Sequence, residues 1–284
     1  MVLNLQEIDA VLRQFEGEYF FDYAGFVGSL REYVVRALEA QYAREPGDLH
    51  RRAFMLNLYR EEYTAYEDLG AFINAFLSHR EDASLLPLTY LLKYRPGSVK
   101  LDIVLGERQL TNGDALMERL GILEWVSERL TRTHPEINFD KVLRRACYYI
   151  TEDCYRSQKQ EGVSAFNKIK HALLLIADGR RLISGHPPGP AVLFASDPSN
   201  PASAQNPVSV MTITMADRNF EERLRQVHFI QKTLRLFALL YIAARYPEVV
   251  RRRGIGDPAE ALNHRPFFDL RDFAREMTST EWDR

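Results

Sequence analysis

Cysteine is scarce in this 284-residue chain: Cys147 and Cys154 are the only two, seven positions apart. On a helix that spacing separates them by roughly 10 Å, beyond disulfide reach. Neither belongs to a Cys-x-x-Cys or Cys/His cluster, so both read as small buried hydrophobes in a reducing compartment. Long apolar runs are also missing. The longest, Leu236 to Ala244, has nine residues, about half of what a membrane span needs. The N-terminal MVLNLQEIDAVLRQF has early acids and no apolar core, which argues against a signal peptide. There is no strong excess of either charge: the formal net charge is −2, unlike a protein that coats nucleic acid or an anionic membrane. GxSxG, P-loop, GxGxxG and HExxH patterns are absent. None of the seven histidines follows a Glu by three residues, so the Glu-x-x-His signature of di-metal bundles is absent too. These absences lead to the expectation of a soluble cytoplasmic protein with no metal, no cofactor and no membrane partner.

What is present is apolar material, 46% of the chain, mostly at helical spacing. The pattern predicts helices over 4–15, 18–44, 49–79, 84–94 and 140–160, then a long one from Asp217 to about Tyr246 and a short one over 266–277. Leu5, Ile8, Leu12 and Phe15 should face inward on the first, and Phe26, Leu30, Tyr33, Val34, Ala37 and Leu38 on the second. Pro87 falls where a first helical turn tolerates proline. Gly106, Asn112-Gly113 and Gly121 break the region before Thr133 into short helices, and Trp125 reads as an anchor there. Asp140 is the expected cap of the following helix. Six of the 13 prolines lie between 187 and 207, which excludes helix there. Ala191–Ala195 and the alternating Val208–Met215 read as strands. The expected fold is therefore mainly α, a multi-helix bundle with a small antiparallel β-sheet insertion near 173–215. It is read as one domain, 1–284, in which the break at His134-Pro135 sets off an N-terminal helical subdomain, 1–133.

Charge is uneven along the chain. Residues 1–82 hold 15 acidic against 8 basic side chains, and residues 141–181 hold 9 basic against 4 acidic. The two stretches should attract each other within the molecule.

The densest polar constellation is SAFNKIKHALLLIADGRRLI, residues 164–183. Ser164 can cap a helix, on which Asn167 and His171, four apart, share a face flanked by Lys168 and Lys170. A histidine near neutral pKa beside two cations can act as acid or base on a phosphodiester while the lysines hold phosphate. The alternative is structural: Asn167 and His171 would bond backbone at a helix-to-strand junction. Asp178-Gly179 between apolar runs signals a hairpin, although a helix continuing to Ala177 with Gly179 as its cap fits as well. On the 49–79 helix, Glu61, Glu62, Glu67 and Asp68 form an acidic run. It could be a solvated face, a salt bridge to Lys168 or Lys170, or an arrangement in which Glu67 or Asp68 orients His171. The basic pairs Arg144-Arg145 and Arg180-Arg181, with Tyr148 and Tyr149 nearby, are candidate RNA contacts.

The N-x-x-K-H string at residues 167–171, at a helix end before a strand, resembles uncharacterised bacterial helical proteins of the HEPN superfamily. That resemblance covers about residues 140–175 and implies metal-independent RNA cleavage. The superfamily places an Arg four to six residues before its His, and only His171 matches here, because the nearest preceding arginine is Arg156. Two functional expectations follow. One is a helical interaction or scaffold protein with an unidentified protein partner or self-association. The other is a HEPN-like RNA-binding protein or ribonuclease with His171, Asn167 and Lys170 in the catalytic role and Lys168, Glu67, Asp68 and Arg144 in binding.

Overall fold

A computed structural model describes residues 4–44, 47–93, 101–110, 112–155, 175–176, 191–195, 208–212, 217–263 and 268–279. The protein is mainly helical. In chain order the α-helices are α1 (Leu5–Leu12), α2 (Glu16–Asp22), α3 (Gly28–Arg44), α4 (Asp48–Glu81), α5 (Pro87–Leu92), α6 (Leu101–Glu107), α7 (Gly113–Leu120), α8 (Glu128–Thr133), α9 (Phe139–Tyr149), α10 (Asp217–Arg245), α11 (Pro247–Arg252) and α12 (Leu270–Thr278). Two π-helical turns, Tyr23–Val27 and Ile150–Cys154, follow α2 and α9 directly. Between 157 and 216 the described backbone consists of β1 (Leu175–Ile176), β2 (Ala191–Ala195) and β3 (Val208–Thr212), paired antiparallel in that order. Leu175 and Ile176 lie opposite Val192 and Ala191. The Asp178-Gly179 doublet lies outside the described residues, as does the remainder of the expected insertion.

The chain divides into two compact units. One comprises Met1–Tyr33, Ala65–Arg156 and His228–Arg284, and the other Val34–Thr64 and Ser157–Val227. The boundary expected at 133 falls inside the first unit. That unit is built on an aromatic core: Phe76 of α4 packs on Trp125 and on Tyr241 of α10, with ring centroids 5.0 and 4.9 Å apart, and Phe20 of α2 meets Tyr241 edge-on at 5.3 Å. Each aromatic side chain removes a large apolar area from water, and the edge-to-face geometry suits the ring quadrupoles. In the second unit Tyr42 stacks flat on Phe220 at 3.8 Å, and the Arg223 guanidinium lies 3.5 Å over Tyr59 while pairing with the buried Glu62. Among the described residues, α10 is the one helix long and apolar enough to cross a membrane, but 78% of its apolar window is buried by protein.

Helix boundaries follow local chemistry. Asn112 caps α7 by accepting from the Ala115 amide, and Gly121 ends it in the left-handed region at φ 63°, where a Cβ would be strained. Pro87 occupies the first turn of α5. The cap of α9 is Asn138, which accepts from the Lys141 amide. Asp140 instead sits inside the first turn and pairs with Arg144 one turn on.

Two expectations about buried faces are corrected. On α1 the buried residue is Asp9, at 3% exposure, while Leu5 and Phe15 are exposed. Asp9 accepts from the Leu86 amide at 2.7 Å and the Thr89 hydroxyl at 2.5 Å, and Glu16 accepts from the Leu88 amide at 3.0 Å. Those amides open α5, whose cap position, Leu86, has no polar side chain of its own to satisfy them. On α3, Val35, Leu38 and Tyr42 are buried while Leu30, Tyr33 and Val34 are exposed. A π-turn needs more residues per turn than an α-turn, so it rotates everything after it to a new face. In the acidic N-terminal region Glu18 and Asp22 take Arg253, Glu32 takes Arg235, and Glu81 takes Arg108 and Arg119, while Arg156, Lys159, Lys168, Lys170, Arg180 and Arg181, on which the expected attraction to 141–181 mostly rests, lie outside the described residues.

Candidate anion-binding cleft

Within the first unit α9 lies against α7 and α12, and where their ends meet a cavity of about 500 Å³ opens. Its wall comes from Asn112, Gly113 and Asp114 at the start of α7, Lys141, Arg144, Arg145 and Tyr148 along α9, and Met277, Thr278 and Ser279 at the end of α12. The α9 contribution follows from sequence. Val142, Leu143, Ala146, Cys147 and Tyr149 are buried, which turns Lys141, Arg145 and Tyr148, at i, i+4 and i+7, along one stripe of the opposite face. The helices touch closely here. A Cβ on Gly113 would lie 2.5 Å from the Tyr148 backbone nitrogen, so only glycine permits this approach.

Three cations face one carboxylate in the wall, and they are not equivalent. Arg144 donates to Asp140 and Asp114, and these bonds hold its guanidinium still more firmly protonated than usual. It therefore ties α7 to α9. Lys141 is exposed and has no partner among the described residues. The Arg145 guanidinium stands 5.5 Å over the Tyr148 ring, which remains 49% exposed. Thr278 and Ser279 donate their hydroxyls back to carbonyls of the last turn of α12, so their protons are already used within the helix end. The arrangement offers a mobile ammonium, a guanidinium and an open aromatic face, a set suited to an anionic group carried on a planar or apolar body.

Of the residues singled out from the sequence, Arg144 is in this cleft. Asn167, Lys168, Lys170 and His171 lie outside the described residues. The acidic run on α4 is dispersed: Glu62 is buried against Arg223 in the second unit, whereas in the first unit Glu67 is buried and Asp68 pairs with Arg31 at 2.9 Å. No group of three or more His, Cys, Asp or Glu is placed to hold a metal among the described residues. Sequence reasoning missed Lys141, although its i, i+4, i+7 relation to Arg145 and Tyr148 carries the signal. The reach of α12 to α9 has no local signature. His134 is buried, accepting from the Asn263 amide at 3.3 Å and donating from Nε2 to the Ala259 carbonyl at 2.9 Å, which makes it a structural histidine. Comparison of the chain with protein-family models, curated proteins and solved structures finds no match.

Proposed function

We propose that the chain is a soluble intracellular interaction protein: a helical bundle carrying a small antiparallel sheet insertion near 173–215, which engages an anionic partner through the α7–α9–α12 cleft. The observation that carries this reading is Lys141, an exposed cation without a described partner beside Arg145 and Tyr148. Electrostatic contacts of this kind are read by salt dependence and charge reversal. The test is fluorescence anisotropy of the full chain with a labelled polyglutamate peptide and with a labelled single-stranded RNA of equal charge. Binding of either that weakens at least tenfold in both Lys141→Glu and Arg145→Glu supports the cleft. Binding that ignores both substitutions, or no binding of either probe at low salt, sinks it.

A second reading takes RNA as the anionic partner and His171 as acid or base. The open Tyr148 face favours it, since exposed rings stack on bases. It requires cleavage of the RNA without added metal and loss of that cleavage in His171→Ala; binding without cleavage returns the protein to the first reading.

A further inference from the structure

The cleft between α7, α9 and α12 has a neighbour that the chain itself supplies. Ser279 stands in its wall, one residue past the end of α12, with extended backbone at φ −71° and ψ 147°. Thr280, Glu281, Trp282, Asp283 and Arg284 follow it in the sequence and lie outside the described residues. Covalent geometry alone keeps them close. A chain advances at most about 3.6 Å per residue, so the Glu281 Cα lies within about 7 Å of the Ser279 Cα and the Trp282 Cα within about 11 Å.

The chemistry of this segment complements that of the wall. Asp114 accepts from Arg144, so the positive charge of the wall falls to Lys141 and Arg145. Glu281 and Asp283 bring two negative charges, with Trp282 between them and the single opposite charge of Arg284 beyond. Tyr148 is 49% exposed with the Arg145 guanidinium 5.5 Å over its ring, and Met277 adds an apolar surface. An indole suits such a wall, because it packs edge or face against another ring and attracts a cation to its own face. An acidic, aromatic segment is thus tethered at the rim of a basic, aromatic cleft.

We propose that residues 281–283 occupy the cleft in cis, the two acids against Lys141 and Arg145 and the indole against Tyr148, so that an anionic partner must displace them. For that partner the inference rests on the reading given under Proposed function; for the segment it rests on the cleft alone. A tether of a few residues holds the segment at an effective concentration on the order of 1 mM, so an intrinsic affinity of ~0.1 mM fills the cleft about nine-tenths of the time. The partner's affinity is then lowered about tenfold, which sets a threshold for binding without blocking it.

Trp282 is its own reporter. The chain has two tryptophans, and the other, Trp125, is buried in the aromatic core. Acrylamide quenching of Trp282 is measured in full-length Trp125→Phe and in the free peptide STEWDR. The proposal expects quenching in the protein to be weaker by roughly threefold or more, and to rise to the peptide's value in Lys141→Glu and in Arg145→Glu. If Trp125→Phe does not fold, the difference between wild type and Trp282→Phe gives the same quantity. Labelled polyglutamate should also bind Glu281→Gln/Asp283→Asn about tenfold more tightly than wild type. Quenching as free as in the peptide overturns the proposal whatever the probe does. So does shielding that ignores both charge reversals, because the indole then packs elsewhere, and so does unchanged affinity of a probe that binds. Shielding that depends on protein concentration assigns the segment to a second copy and overturns the arrangement in cis. Shielding that needs Lys141 and Arg145, with no probe bound even by Glu281→Gln/Asp283→Asn, upholds the segment in the cleft and sinks the anionic partner instead.

Discussion

Asp9 shows how much one side chain can decide. Burial raises its pKa, but the bonds from Leu86 and Thr89 and the charge of Arg13 outweigh burial, so the carboxyl stays below its ordinary value. Asp9→Ala leaves the Leu86 amide and Thr89 hydroxyl without an acceptor and should cost about 3 kcal/mol. Asp9→Asn, which keeps an acceptor oxygen, should cost less, and urea unfolding of the two variants ranks them. Gly113 is the second such residue. In Gly113→Ala the new methyl meets Tyr148 backbone, which cannot rotate away, so α7 must back off α9. The expected loss is about 1–3 kcal/mol, accompanied by weaker anion binding because the cleft walls part. Unchanged stability and binding would mean that the contact is slack. At this scale the sequence was partly legible: the arginine pair and Tyr148 stood out, and Asn112-Gly113 and Gly121 were visible as breaks, though not as the caps they form. Asp9 did not, because an acid within an apolar stripe looks like a solvated interruption until the distant amides that need it are known.

At the scale of elements, apolar periodicity located most helices but misjudged which side of α3 is covered. The 18–44 pattern reads as one helix because every residue is compatible with one, and the π-turn at Tyr23–Val27 has no compositional marker. Its consequence is that Leu30, Tyr33 and Val34 face outward. Tyr33→Lys should therefore change stability by no more than about 0.5 kcal/mol, whereas Leu38→Ala, on the covered side, should cost about 2–4 kcal/mol. Thermal melts of the pair settle which face is packed. The arginines at 251–253 stand as an uninterrupted run of one charge in the sequence, yet Arg252 and Arg253 reach Glu18, and Arg253 also reaches Asp22 and lies over Phe21. Charge runs tell where ions are, and only the fold tells which of them meet.

For the molecule as a whole, the perturbed groups bracket a pH range. Asp9, with its lowered pKa, contributes stability that is complete above the unfolded value near 3.9 and lost as pH falls through the lower folded value. Tyr23, Tyr241 and Tyr246 run the other way. Burial, reinforced by Asp68 for the first and by Glu16 for the others, pushes their phenols up. Their contribution is complete below about pH 10 and lost as pH rises toward the folded values. The melting temperature should be nearly flat from about pH 5 to 9 and fall on both sides, with tyrosinate absorbance at those three rings appearing only as the alkaline limb unfolds. Ionisation of all tyrosines near pH 10 in a folded protein would contradict this. Cys147 reports the same event differently. It is buried and burial raises its thiol pKa, so a thiol reagent should label it at the rate of opening, independent of reagent concentration.

The bonds from Asp9 to Leu86 and Thr89 close a span of 77 and 80 residues. Closing so long a loop has an entropic cost that local helix formation does not share, and it returns only a few hydrogen bonds. Loop-closure entropy therefore predicts that these contacts form after the folding barrier, with the helices between them already in place. The N-terminal helix would then act as a late clasp, and stopped-flow kinetics should show Asp9→Ala refolding at nearly the unchanged rate and unfolding faster by almost the whole of its equilibrium effect. On that expectation Asp9 lengthens the time the protein stays folded without setting how quickly it folds.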